Sequence, residues 1–154
     1  RSAKSSHRAL ITCDDDVRKW IATSGRPPLT VTFVIHAHGE LWIADRQSEH
    51  VACARGEPVR SAGEMTFDID DKVVDVTYVT NQSTGFCPEP ESWHSVARAL
   101  DRAKISHPDD FDMRCEFRRC TCGQINVVKD EVYECGVCGS ELPREWNLAT
   151  DNAT

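Results

Sequence analysis

The chain has 154 residues, an apolar fraction of 40% and a formal net charge of -7. That length suits one or two small domains with a modest core, and the acidic balance disfavours nonspecific binding to nucleic acid or to an anionic membrane. No apolar run approaches the roughly 20 residues of a membrane span, and the polar start, Arg1–Arg8, has no signal-peptide core; a soluble, cytoplasmic protein is the expectation. Because the first residue is Arg1 and not Met, the chain reads as a fragment or a processed product.

Residues 1–9 read as a polar tail. Asp14–Ser24 then carries three acids in its first turn and Val17, Trp20 and Ile21 on one face, with Gly25 behind it. This is an amphipathic helix capped by Thr12 or Asp14. Arg26-Pro-Pro28 breaks the chain, and a β-rich stretch follows. Leu29–Ile35 and Leu41–Ala44 flank a turn as the arms of a hairpin, and His50–Ala54 reads as a third strand ended by Arg55–Pro58. Ala62–Ile69 and Val73–Thr80 form the clearest hairpin, closing at Asp70-Asp-Lys72. Asn81–Pro88 is a loop, and Glu91–Ala103, with Trp93, Val96, Ala97 and Leu100 at helical spacing, is a second helix. His107–Asp110 is a linker. The fold class expected is α+β: a small antiparallel sheet with one or two flanking helices, followed by a zinc ribbon. The expected units are 1–27 (tail and helix), 28–106 (β-rich body), 112–147 (ribbon) and 148–154 (flexible tail).

The ribbon is read from Cys120-Thr-Cys122-Gly123 and Cys135-Gly-Val-Cys138-Gly139. Two close cysteine pairs, each ending on a glycine, suit a tetrahedral zinc site, because the glycine lets the chain fold back under the thiolates. The twelve residues between the pairs leave room for two short strands and a turn at Lys129–Glu131. Structural Zn2+ is therefore expected on Cys120, Cys122, Cys135 and Cys138, with Cys115 as the alternative to Cys120 because the first pair is Cys-x-Cys. Cys13, Cys53 and Cys87 are scattered singly, which fits a reducing compartment better than a disulfide framework. Bound zinc would supply much of the folding free energy of so small a module, on the order of 10 kcal/mol.

Over about residues 39–103 the order of motifs resembles a domain found at the C-termini of bacterial polymorphic toxins and in plant IQ-motif calmodulin-binding proteins. The matching pieces are Gly39-Glu-Leu-Trp-Ile43, His50, Gly56-Glu-Pro-Val59, Ala62-Gly-Glu64, Ser83, Phe86, Pro88 and the helix that follows. Val51-Ala52 stand where that family has two serines, and Thr84-Gly85 where it has Gly-His, so its second histidine is missing here. The resemblance implies a fold and a bacterial conflict setting, and no reaction.

Other constellations carry alternative readings. His36-x-His38-x-Glu40 would share one strand face and offer a second metal site; a solvated hairpin end is the simpler reading. His50, Glu64, Asn81 and Ser83 could line a catalytic cleft, with His50 as acid or base; the simpler reading has them satisfying backbone groups. Arg114, Arg118, Arg119 and Lys129, beside Phe117 and Tyr133, could form a nucleic-acid patch. Trp20, Trp42 and Trp93 read as core, and Trp146 as packing on the ribbon or touching a partner. The favoured function is a non-enzymatic module that docks on another protein. A toxin-derived effector and a nucleic-acid-binding ribbon are the alternatives.

Overall fold

The structure, a computed structural model, describes residues 7–148. The expected tail therefore falls partly outside it, as do 149–154 of the C-terminal tail. Five antiparallel strands form the main sheet: β1 (Arg8–Ile11), β2 (Leu29–His36), β3 (Leu41–Asp45), β4 (Val59–Asp70) and β5 (Val73–Val79), in the order β1-β3-β2-β4-β5. The helices are α1 (Asp14–Ser24), α2 (His50–Ala54) and α3 (Trp93–Arg102), the last entered through a 3-10 turn at Pro90–Ser92. A separate two-stranded sheet pairs β6 (Glu116–Arg119) with β7 (Ile125–Val128). This is an α+β architecture.

The central strand β2 is buried from Val31 through Ile35, because both faces of the sheet are covered. One face carries Val31, Phe33, Ile35, Leu41, Ile43, Met65 and Phe67. Val17, Trp20 and Ile21 of α1 and Val96, Ala99 and Leu100 of α3 pack on it. Burying each such large apolar side chain is worth about 1.5–3 kcal/mol. The other face carries Val34, Ala44 and Ala62 under Cys53 and Ala54 of α2, with Trp42 and Phe86 at the margin. β1 and α1, from the segment expected to precede the β-rich body, thus belong to its core.

Three expectations are corrected. Arg8–Ile11 is not tail but an edge strand, in register with Ala44–Leu41 of β3; Arg8 lays its guanidinium 3.8 Å from the Trp42 ring centroid, leaving that tryptophan only partly buried. His50–Ala54 is a helix, not a strand. Glu49 enters it extended, Cys53 N–H donates to the Glu49 carbonyl, and Arg55 and Gly56 leave it at φ 55° and 75°, a left-handed stop. α1 is capped by neither Thr12 nor Asp14. Cys13 is its N-cap residue, and the Asp16 carboxylate reaches back to accept the Thr12 N–H and hydroxyl at 2.8 and 3.0 Å. The β4–β5 hairpin stands as read, turning on Asp71 and Lys72 at φ 51° and 69°.

The linker after α3 is built into the body. Ser106 and Met113 bridge in parallel to Asp75 and Thr80, so this strap runs along the outer edge of β5. Asp112 N–H donates to the Val79 carbonyl, and the Asp112 carboxylate accepts the Val79 N–H, each at 2.8 Å. His107 fastens the strap to α3. Its two ring nitrogens face the Pro108 carbonyl at 2.6 Å and an Asp101 carboxylate oxygen at 2.7 Å, while its ring meets Trp93 edge-on. Two acceptors require two N–H donors, hence the imidazolium. Burial pulls the ring's pKa down, but the Pro108 carbonyl and Asp101, with Asp109 nearby, outweigh it and hold it above the ordinary value. A group raised on folding stabilises below its unfolded pKa, about 6.5. His107 therefore adds stability at pH 5–6 that is lost as pH rises through its folded pKa. The difference in unfolding midpoint between the parent and His107→Gln should be larger at pH 5.5 than at pH 8.5; equal differences at both would contradict the latch.

Gly63 marks the tightest crossing in the body. A Cβ there would fall 1.9 Å from the Thr80 carbonyl oxygen and 2.7 Å from its carbon. Backbone cannot yield as a flexible side chain can, so Gly63→Ala should destabilise by at least about 2 kcal/mol in denaturant unfolding. A midpoint unchanged from the parent would show the crossing to be looser than described.

Candidate metal centre

The short sheet carries the first half of the cysteine cluster. β6 runs into Cys120, the chain turns through Thr121 and Cys122, and Gly123 at φ 98° sends it back as β7. Cys120 N–H donates to the Gln124 carbonyl and Gly123 N–H to the Cys120 carbonyl, both at 2.8 Å. The partner of β7 is thus β6, which lies before the first pair, and not a strand between the pairs. After β7, Asp130 and Glu131 turn the chain at φ 55° and 59°, bridged by Lys129 and Val132. The second half repeats the device: Glu134 bridges Glu141, Cys135 N–H donates to the Ser140 carbonyl, and Gly139 at φ 79° closes the turn.

These two turns bring Cys120, Cys122, Cys135 and Cys138 together with all four sulfurs within 4.8 Å of one another. Zinc–sulfur bonds of about 2.3 Å in a tetrahedron put the sulfurs about 3.8 Å apart. The closest pairs, Cys120–Cys138 at 3.4 Å and Cys122–Cys135 at 3.8 Å, fit that edge. All eight cysteines are free thiols, and no other group of three or more potential ligands occurs among the described residues. Four thiols this close can hold one metal ion.

The hydrogen bonds divide the thiols. The amides of Cys138 and Val137 point at Cys135 Sγ and hold its thiol down at about 6. The Ser140 hydroxyl and amide lower Cys138. At Cys122 the Gln124 amide pulls down, yet the neighbouring Cys120 thiol, burial, Cys138 and Cys135 outweigh it and hold it up at about 11. Cys135 is thus ready as a thiolate and Cys138 is shifted in the same direction, while crowding keeps a proton on Cys122 until a cation compensates it. Arg119 adds a positive charge at the first turn, its guanidinium 3.3 Å from the Gly123 carbonyl.

Cys115 is not one of the four. It is buried, its thiol is pushed up by burial, and its backbone is held by Asn81. Asn81 Nδ2 donates to the carbonyls of Pro88 and Cys115 at 3.0 and 2.9 Å, and its Oδ1 accepts the Cys115 N–H at 2.6 Å. This fully used, buried amide staples the 81–88 loop to the entry of the metal module. The other residues weighed for a cleft are likewise occupied. The His50 ring is bonded to the Gly63 carbonyl at 2.8 Å, Glu64 lies 3.5 Å from Arg46, and Ser83 Oγ accepts the Phe86 N–H at 3.3 Å. Burial lowers the pKa of His50, opposed by that carbonyl bond and by Glu64. His36 pairs with Glu57, and Glu40 accepts the Trp42 indole N–H; with His38 they form no ligand group.

The basic residues are largely spent on structure. Arg118 is 4% exposed; it donates to the carbonyls of Phe117, Pro143 and Arg144 and pairs with Glu116 at 3.0 Å. Arg114 pairs with Asp110 at 2.7 Å. Trp146 packs on the module, edge-on to Phe117 and 5.4 Å from the Arg118 guanidinium. The asparagine staple and the buried arginine carried no local signal in the sequence, because the partners that lock them, Cys115 for Asn81 and Pro143 and Arg144 for Arg118, lie 34 and 25–26 residues away. Comparisons with protein-family models, with curated proteins and with solved structures gave no match for this chain.

Metal must displace the protons that the crowded thiols retain, so its affinity should fall steadily as pH drops from 8 to 6. Competition with a chromophoric chelator would read this out. A flat response over that range would mean the metal sits on other ligands.

Proposed function

We propose that the chain is a non-enzymatic protein-interaction module whose C-terminal zinc ribbon is held by structural zinc on Cys120, Cys122, Cys135 and Cys138. The observation that carries this is the four-sulfur cluster itself: four free sulfurs within 4.8 Å of one another, placed on two glycine-closed turns, with no His, Asp or Glu joining the group among the described residues. A catalytic zinc keeps one position for water or substrate; four thiolates fill the shell. The apolar residues gathered at the cluster, Val128 and Leu142 with Tyr133 beside them, are too few to hold the turns together alone. Zinc supplies the missing free energy, and the folded ribbon supplies surface.

A partner protein is the favoured target, because His50, Glu64, Asn81 and Ser83 are each satisfied within the fold and Arg118 is enclosed. The motif order over residues 39–103 supports a bacterial defence or toxin-related setting. The docking residue favoured here is Val137, 70% exposed at the apex of the second cysteine turn, and not Trp146, which is packed inward. Val137→Asp should leave zinc stoichiometry and unfolding midpoint unchanged while reducing capture of a partner from the source cell's lysate at least tenfold. Equal capture by both proteins would remove the ribbon tip from the interface. Turnover of any substrate that fails on His50→Ala would replace this reading with an enzyme.

A further inference from the structure

The main sheet leaves a hollow beside its central strand. β3 ends at Asp45, opposite Val31, whereas β2 begins two residues earlier at Leu29 and is paired there with Phe67 of β4 alone. The start of β2, the exit of α1 and the turn after β3 together wall a cavity of about 330 Å³. α1 contributes Trp20 and Ser24, β2 contributes Leu29 and Val31, and the turn contributes Asp45, Arg46 and Gln47. Its inner wall is apolar, with Trp20 5% and Val31 1% exposed. Its rim is polar and open to solvent at Asp45, Arg46 and Gln47.

The rim carries one charge of each sign on consecutive residues. The Asp45 carboxylate accepts the Gln47 N–H through Oδ1 at 2.9 Å, and its second oxygen has no partner among the described residues. Arg46 turns Nε toward Glu64 at 3.5 Å, between side chains 63% and 33% exposed. Solvent screens so open a pair, and both terminal nitrogens of the guanidinium are without a partner among the described residues. A purely cationic ligand would satisfy Asp45 and be opposed by Arg46. A purely anionic one would meet the reverse. A molecule with both charges close together on an apolar body suits the whole cavity.

We propose that this cavity binds a free α-amino acid with an apolar side chain, its ammonium on Asp45, its carboxylate on the Arg46 guanidinium and its side chain against Trp20, Leu29 and Val31. The planar fork of a guanidinium matches the two oxygens of a carboxylate. The volume lies at the small end of ligand pockets, about 300–1,000 Å³, which suits a single small metabolite. No lining residue belongs to the cysteine module, so the proposal stands or falls independently of the zinc reading. It gives the chain a small-molecule input besides the docking surface of its ribbon.

The test titrates the full chain with L-leucine and follows amide and indole resonances by NMR. N-acetyl-L-leucine and L-leucinamide serve as probes that each lack one of the two charges. Expected is saturable binding of L-leucine, with the largest shifts at Trp20 and at Asp45, Arg46 and Gln47, and binding weaker by about tenfold or more for either probe. Asp45→Asn keeps an acceptor for the Gln47 N–H; it should weaken L-leucine by a similar factor and erase its lead over N-acetyl-L-leucine. Arg46→Gln should erase its lead over L-leucinamide. Should either variant unfold, the two probes on the parent chain still decide the matter. No saturation by L-leucine at millimolar concentration, equal or tighter binding of either single-charge probe, or shifts confined to residues outside the cavity would overturn the proposal.

Discussion

Four sulfurs within 4.8 Å of one another impose the constraint on which the C-terminal third depends. Thiolates this close repel, and thiols this close have nothing apolar enough to hold them. The backbone has gone part of the way toward resolving the conflict, by aiming the amides of Val137 and Cys138 at Cys135 Sγ, while Cys138 Sγ is hydrogen-bonded to Ser140 Oγ. What remains is charge that a bound cation can neutralise, because the two turns bring the four sulfurs within reach of a single ion.

That centre is not an appendage on a free linker. The strap 104–115 is paired to β5, latched to α3 by His107, and closed by the three bonds of Asn81. Beyond it, Arg118 gathers the carbonyls of Pro143 and Arg144 and stacks near Tyr133 and Trp146. A buried guanidinium with several acceptors is costly to disturb, since removing one partner strands the others. Both residues act by satisfying backbone groups in places where regular secondary structure stops. Asn81 ties the entry of the cysteine module to the body, and Arg118 ties the module's beginning to its end.

Much of this was legible in the sequence, for reasons that differ by element. The four-cysteine cluster was readable because close cysteine pairs are a local pattern: pairs with one and two residues between them, each with a glycine behind it, admit few other uses. The α1 and α3 helices and the β4–β5 hairpin were readable because each shows one clear period over many residues. β1 was missed because four residues beginning with arginine carry no period, and its pairing with β3 is made across a helix. α2 was missed because a five-residue apolar run fits either a strand or a helix, and the extended residue before it with the left-handed residues after it decide the matter. Asn81 was noticed, but as a candidate for chemistry. Only its distant partners at Pro88 and Cys115 show that its amide is wholly consumed.

The most direct measurement of the central claim is X-ray absorption at the zinc edge on the purified full chain. The account predicts one zinc per chain with four sulfur neighbours at about 2.3 Å and no nitrogen or oxygen in the first shell. A chain without stoichiometric zinc, or a shell that includes oxygen or nitrogen, would contradict it.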